Sequence, residues 1–192
     1  MEDQIYSFVL RGNLAKVSIE KTQLLKRYKN SIYMDSEIAE HLSMDLLDEE
    51  HIEISKKMAS VYVVITSFEN MVRDFIAKTL SEAKGEDWWE KSVSDKIRKN
   101  AESRKKEEEK IKWHQQRGDR LLNYTEMGDL TSIINQNWEN FEDYLVSLEW
   151  ARQIINTLER SRNVIMHGGE LGERDIERVG TNIRDWINQV GA

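Results

Sequence analysis

An all-α fold, an antiparallel helical bundle, follows from three features of this sequence. Its 192 residues include no proline, the residue that breaks helix interiors. Apolar residues recur at steps of three and four over several long stretches, and none alternates as a half-buried strand requires. Gly85 and the pair Gly168 and Gly169 punctuate those stretches, as glycine does where a helix stops.

The elements follow in order. Leu14, Val17, Leu24, Leu25 and Tyr28 lie at roughly helical spacing over residues 13–29, amid lysine and arginine. Residues 31–50 are mixed in character, with Ser36 suited to an N-cap. A continuous stripe of Ile54, Met58, Val61, Ile65, Phe68, Val72, Phe75 and Ile76 predicts a long helix over about 48–80. Glu69 and Arg73 stand four apart on it and can pair; a solvated surface pair is the expectation, a polar cleft the alternative. Trp88 and Trp89 point about 100° apart on a helix, so one core face seldom takes both. The mixed run Arg104 to Lys110 predicts a solvated helix with internal ion pairs. A loop over residues 123–130 enters a helix with Thr125 or Asp129 near its cap, and the apolar series Ile133, Ile134, Trp138, Phe141, Tyr144, Leu145 and Leu148 follows. The next helix, over about 148–166, turns Ile154, Ile155, Leu158 and Ile165 inward. A last one, over about 173–190, carries Ile176, Val179, Ile183, Trp186 and Ile187.

Composition narrows the function classes. Residues are 39% hydrophobic and 33% charged, which suits a globular chain and not a disordered one. Cysteine is absent, which rules out disulfides, cysteine–zinc sites and a thiol nucleophile. The start, Met1-Glu2-Asp3-Gln4, lacks the basic region of a secretory signal. The apolar run from Val61 to Ile65 is far too short to span a bilayer, so a cytoplasmic chain with no membrane partner is expected. His41, His51 and His114 are dispersed without ligand spacing, so neither a metal nor a cofactor is expected. A net charge of −7 argues against bulk nucleic-acid binding but leaves room for a local site. Beyond Lys112 every basic residue is arginine or histidine, and arginine's planar fork grips phosphate in two places.

Chemistry concentrates near the end of the 148–166 helix. Asn163 and His167 are four apart and share a face, and the long side chain of Arg162 reaches the same space. Histidine exchanges a proton near neutrality and suits general acid–base work. Arg162 supplies a permanent charge for a phosphate or a developing oxyanion, and Gly168 and Gly169 leave room for a substrate backbone. The same residues also serve simply to cap a helix C-terminus, where arginine and histidine satisfy free carbonyls. Earlier in the chain, Trp113, His114, Gln115, Gln116 and Arg117 offer a ring for a base and a charge for a phosphate, with a surface helix as the expected setting.

Arg162, Asn163 and His167, late in a helical bundle, resemble the Arg-x4-6-His motif of the HEPN superfamily. Ser67 to Ile76, with Glu69, Arg73, Phe75 and Ile76, resembles an early helix of the branch related to a nuclear RNA-quality-control endoribonuclease. Arg120 to Leu130, with Tyr124, Gly128, Asp129 and Leu130, resembles that branch's Tyr-x-x-x-Gly-Asp-Leu segment. Ile133, Ile134, Trp138 and Phe141 follow in order. The likeness covers about residues 48–190, which sets a HEPN-like bundle domain at 48–192 and an N-terminal helical arm at 1–47.

The resemblance implies a metal-independent endoribonuclease in which a ribose 2′-hydroxyl attacks the neighbouring phosphate, leaving 2′,3′-cyclic phosphate ends. His167 would manage protons, Arg162 would stabilise the phosphorane and Asn163 would orient the site. Glu69 and Arg73 would line the cleft. It implies RNA as a partner and a homodimer with two motifs across one cleft. It also implies a setting in RNA processing, toxin–antitoxin pairing or phage defence, with an antitoxin or other partner on another chain. Two alternatives stay open: a non-catalytic HEPN-fold RNA-binding or dimerisation module, and an unrelated helical scaffold whose arginine and histidine cap a helix.

Overall fold

The computed structural model describes residues 36–191, and among them every regular element is a helix. The basic helical segment expected over residues 13–29 lies outside the described residues. By their internal contacts the described residues divide into two units, one ending at Glu53 and one beginning at Ile54. In the first, α1 (Ser36–His41) is followed by a 3-10 turn, Met44–Leu46. Ser43 between them takes the left-handed conformation, with φ of 51°.

The long helix α2 (Glu49–Lys84) is the spine of the second unit. Met58, Val61, Ile65, Phe68, Val72, Ile76 and Leu80 are buried, at the three-and-four spacing that places one stripe on one side. Ile54, at the foot of that stripe, is exposed instead. Gly85, in the left-handed conformation with φ of 80°, ends the helix, where a side chain would be strained. The short α3 (Trp88–Ser92) buries Trp89 and leaves Trp88 half-buried, with the two rings edge to face.

In α4 (Asp95–Glu109) only Ile97 and Ala101 are buried. The charge run that ends this helix reaches outward rather than pairing only within itself. Arg104 donates to the Tyr124 carbonyl at 2.8 Å and to Glu126 at 2.6 Å, which ties α4 to a 3-10 turn, Leu121–Tyr124. Residues 111–120 form a loop, not the surface helix expected around Trp113.

Glu126 is the N-cap of α5 (Met127–Gln136), directly after Thr125, and Asp129 accepts its backbone N–H at 3.0 Å, so both residues expected near the cap are there. The apolar series that follows does not extend the helix. The buried Asn137 amide donates to the Ile133 carbonyl of α5 and to Ser92 of α3, at 2.9 and 2.8 Å. That stops the helix and clamps two element ends together, and a second 3-10 turn, Trp138–Asn140, comes next.

Ser147 caps α6 (Leu148–Met166) by accepting the Trp150 N–H. Gly168 turns the chain with φ of 75°. At Gly169 an added Cβ would fall 2.7 Å from a Val164 methyl, so only glycine permits this close return. The last helix is α7 (Glu173–Val190).

Contacts fix the directions. Along α2, Met58 meets Leu171 and Phe68 meets Trp186, so α7 runs parallel to α2. Tyr62 shares a groove with Met166 and Glu69 pairs with Arg162, so α6 runs antiparallel to α2. Trp186 is the common aromatic contact: Phe68 and Phe75 meet it edge-on, and Trp150 stacks on it 5.6 Å away. Ile187, next to Trp186 on α7, is exposed. No helix among the described residues is long and apolar enough to cross a membrane.

Trp186→Ala is expected to lower stability by about 3–5 kcal/mol, as large aromatic truncations in cores do. Ile187→Ala should stay within about 0.5 kcal/mol of the parent. Urea unfolding measures both.

Candidate functional site

Three segments wall one open cleft of about 990 Å³: the middle of α2, the end of α6, and the stretch from Arg117 to Glu126. All five residues singled out from the sequence line it: Glu69, Arg73, Arg162, Asn163 and His167.

Glu69 and Arg73 are not the solvated pair expected of them. Their side chains are only 8% and 10% exposed, and they meet at 2.5 Å. The reason is that Arg73 has structural work on every nitrogen. It donates to the Leu122 and Thr125 carbonyls at 3.3 and 3.1 Å and to the Asn70 amide oxygen at 3.3 Å. It thereby holds the Leu121–Tyr124 turn against α2, and a guanidinium so placed requires a carboxylate beside it.

The other oxygen of Glu69 accepts from Arg162 at 3.0 Å. One buried carboxylate therefore bridges two guanidiniums, one enclosed and one at the cleft wall. Arg162 is half-buried, and its second nitrogen lies 3.5 Å from the Asn163 amide oxygen. His167 caps α6, its backbone N–H bonded to the Asn163 carbonyl at 3.1 Å. Its ring is exposed and has no hydrogen-bond partner among the described residues. A guanidinium held at a fixed point beside an open imidazole can receive a phosphate and move a proton.

The cleft carries more charge than the sequence motif suggested. Arg117 and Arg120 join Arg73 and Arg162, so four arginines face Glu69, Asp74 and Glu126. In a chain of net charge −7 this wall is locally positive by one, before His167 is counted. Arg120 is oriented by Asp74 at 3.0 Å and Arg117 by Glu108 at 2.6 Å. The sequence offered Arg117 as a phosphate contact beside Trp113 and Arg120 as the start of a family-like segment, but nothing in it brought either to this cleft, since their partners lie on other elements. Tyr62 and Thr66 also line the cleft, and the Thr66 hydroxyl is buried without a hydrogen-bond partner among the described residues. Among the described residues no group of three or more histidine, aspartate or glutamate side chains is placed to hold a metal ion.

Behind the cleft, Tyr124 is buried and donates to the Gly118 carbonyl at 3.0 Å. Burial raises its phenol above the usual range, helped by Glu108 and Glu109.

Residues 64–191, which include every element of this cleft except Tyr62, match the family model described as Swt1-like HEPN. No curated protein and no solved structure matches the chain.

Glu69→Ala strands two guanidiniums, one of them buried, and is expected to cost about 3–5 kcal/mol. Arg162→Ala leaves Glu69 with Arg73 and should cost clearly less; urea unfolding ranks the two. Tyr124 supplies a pH test. Its phenol stays protonated in the folded chain after the unfolded chain has begun to release that proton, at pH about 10. Stability is therefore full below that pH and falls as pH rises past it. The loss between about pH 9 and about pH 11 should be smaller in Tyr124→Phe, by denaturant titration.

Proposed function

Since this chain belongs to the Swt1-like HEPN family, and Arg162 is held by Glu69 beside an open His167 ring, we propose that it is a metal-independent endoribonuclease. That fixed arginine beside an open imidazole, in a locally positive cleft, is the observation that carries the reading.

The ribose 2′-oxygen attacks the adjacent phosphorus while the bond from phosphorus to the 5′-oxygen breaks. The proton leaves the 2′-hydroxyl and one is delivered to the departing 5′-oxygen. His167 is the group that exchanges it. Arg162 faces the charge that builds on the phosphoryl oxygens, and because Glu69 already holds it, little reorganisation is needed at that moment. Asn163 orients Arg162 and offers its amide N–H groups to the same phosphate. The products carry 2′,3′-cyclic phosphate and 5′-hydroxyl ends.

A homodimer is part of this reading. Beside His167 lies an apolar groove of about 270 Å³, with Ile54, Met58, Ala59, Tyr62, Ile165 and Met166 among its walls. Met166 and Ile54 in this groove are 61% and 37% exposed, so its apolar wall stands open to a partner. A second copy placed there brings a second His167 toward the first, so that one ring can accept the proton and the other donate it. Residues 48–192 make up the catalytic domain, residues 1–47 the arm, and an antitoxin on another chain is a natural regulator in RNA processing or phage defence.

A second reading, a binding or dimerisation module without catalysis, draws on the His167 ring having no hydrogen-bond partner among the described residues to orient it.

End-labelled single-stranded RNA incubated with the protein in EDTA separates the two. Cleavage leaving cyclic phosphate ends is expected. His167→Ala and Arg162→Ala should each reduce it by at least about 100-fold, with helicity by circular dichroism unchanged. Activity retained in both variants would sink the assigned roles. RNA binding that survives His167→Ala, with no cleavage by the parent at any concentration, would establish the second reading.

A further inference from the structure

Of the six tryptophans, five are buried or half-buried and one is not. Trp113 is 86% exposed, in the loop between α4 and the Leu121–Tyr124 turn. A single exposed apolar side chain needs no explanation by itself. Here four further observations converge on it.

First, the loop is built rather than slack. Lys105 donates to the Asp119 carbonyl at 3.0 Å, Tyr124 to the Gly118 carbonyl, and the Arg117 backbone N–H to Glu108 at 3.2 Å. At Gly118, with φ of 130°, an added Cβ would fall 2.6 Å from the Asn123 amide nitrogen, so the turn is specific to glycine. Second, the indole is oriented. The His114 ring stands nearly perpendicular to it at 5.6 Å, and His114 Nδ1 lies 2.9 Å from the Gln115 carbonyl. Third, the loop encloses a polar concavity of about 370 Å³, bounded by Lys112, Trp113, His114, Gln116 and Asp119 among others. That is within the range of about 300–1,000 Å³ found for small-ligand sites. Fourth, this concavity adjoins the catalytic cleft. Gln116 and Gly118 line the one and Arg117 between them lines the other.

The charge selects the ligand. Between residues 110 and 120 stand Lys110, Lys112, Arg117 and Arg120 against Asp119 alone, in a chain that is acidic overall. An exposed indole among cations and amides suits a π-face that carries a phosphate, which is an unpaired nucleotide. Bases inside a duplex are already stacked and cannot take such a seat.

We propose that residues 112–119 form a subsite for one unpaired nucleotide of single-stranded RNA, its base stacked on Trp113 and its phosphate toward Arg117. The subsite would extend the strand beyond the scissile phosphate at His167. This rests on the RNA reading above and adds to it the substrate class and the residue that selects it.

The test uses the full chain and a short single-stranded oligoribonucleotide carrying 2′-O-methyl groups, which cannot be cleaved by 2′-hydroxyl attack. Fluorescence anisotropy is expected to show Trp113→Ala weakening binding by about 5- to 150-fold, with Trp113→Phe retaining most of the affinity. Replacing the nucleotides one at a time by an abasic residue should reproduce that loss at one position in the parent. The same replacement should add nothing further in Trp113→Ala. Unchanged affinity in Trp113→Ala, with RNA cleavage by the parent intact, would overturn the subsite and leave the ribonuclease standing. A change in self-association on Trp113→Ala without a change in RNA affinity would overturn it in favour of a protein contact. Failure of the parent to bind any single-stranded RNA would bring down the RNA reading together with the subsite.

Discussion

The carboxylate of Glu69 is the point on which the cleft depends. One oxygen takes Arg73, which in turn secures the Leu121–Tyr124 turn through two backbone carbonyls; the other takes Arg162 at the end of α6. A single buried negative charge thus sets the distance between three segments far apart in sequence. Burying ions is costly, and replacing such a group with apolar residues often stabilises a fold. What the arrangement supplies is position: Arg162 is already aimed when a phosphate arrives.

The aromatic cluster around Trp186 provides the rigidity this arrangement requires. Phe68 lies on α2 one residue before Glu69, and Trp150 lies on α6 twelve residues, about three turns, before Arg162. Both rings pack on Trp186 of α7. The helix that carries the buried carboxylate and the helix that carries Arg162 are therefore held to one aromatic centre. Large rings in edge-to-face and stacked contact leave few alternative packings. The polar cleft and the apolar core are two sides of the same pair of helices.

Charge is divided unevenly in this molecule. The chain as a whole is acidic, yet arginines from α2, α6 and the loop after α4 gather at one wall. Each of Arg73, Arg117, Arg120 and Arg162 has a carboxylate partner. At Arg117, Arg120 and Arg162 those partners fix the guanidiniums without covering all their donors, which favours recognition of a phosphodiester over loose attraction to any polyanion. The acidic remainder of the surface discourages indiscriminate binding.

Much of this was legible in the residues alone. The three-and-four spacing from Met58 to Leu80 dictates one buried stripe, and Gly85 and Gly168 mark helix ends because few other residues accept a left-handed backbone. The Arg162, Asn163 and His167 cluster is local, so its common face follows from helical geometry. The end of α5 was not legible, because Asn137 stops it through a carbonyl of α3 that no sequence window contains. Nor was the burial of Glu69 and Arg73, since spacing shows that two charges can pair but not what covers them. Sequence by itself determined the helices, their inward faces and the position of the motif, all of which rest on contacts within a few residues. Only the tertiary structure decided that Arg117 and Arg120 join that motif and that one buried carboxylate, Glu69, holds both Arg73 and Arg162, because those meetings depend on segments distant in sequence being packed together.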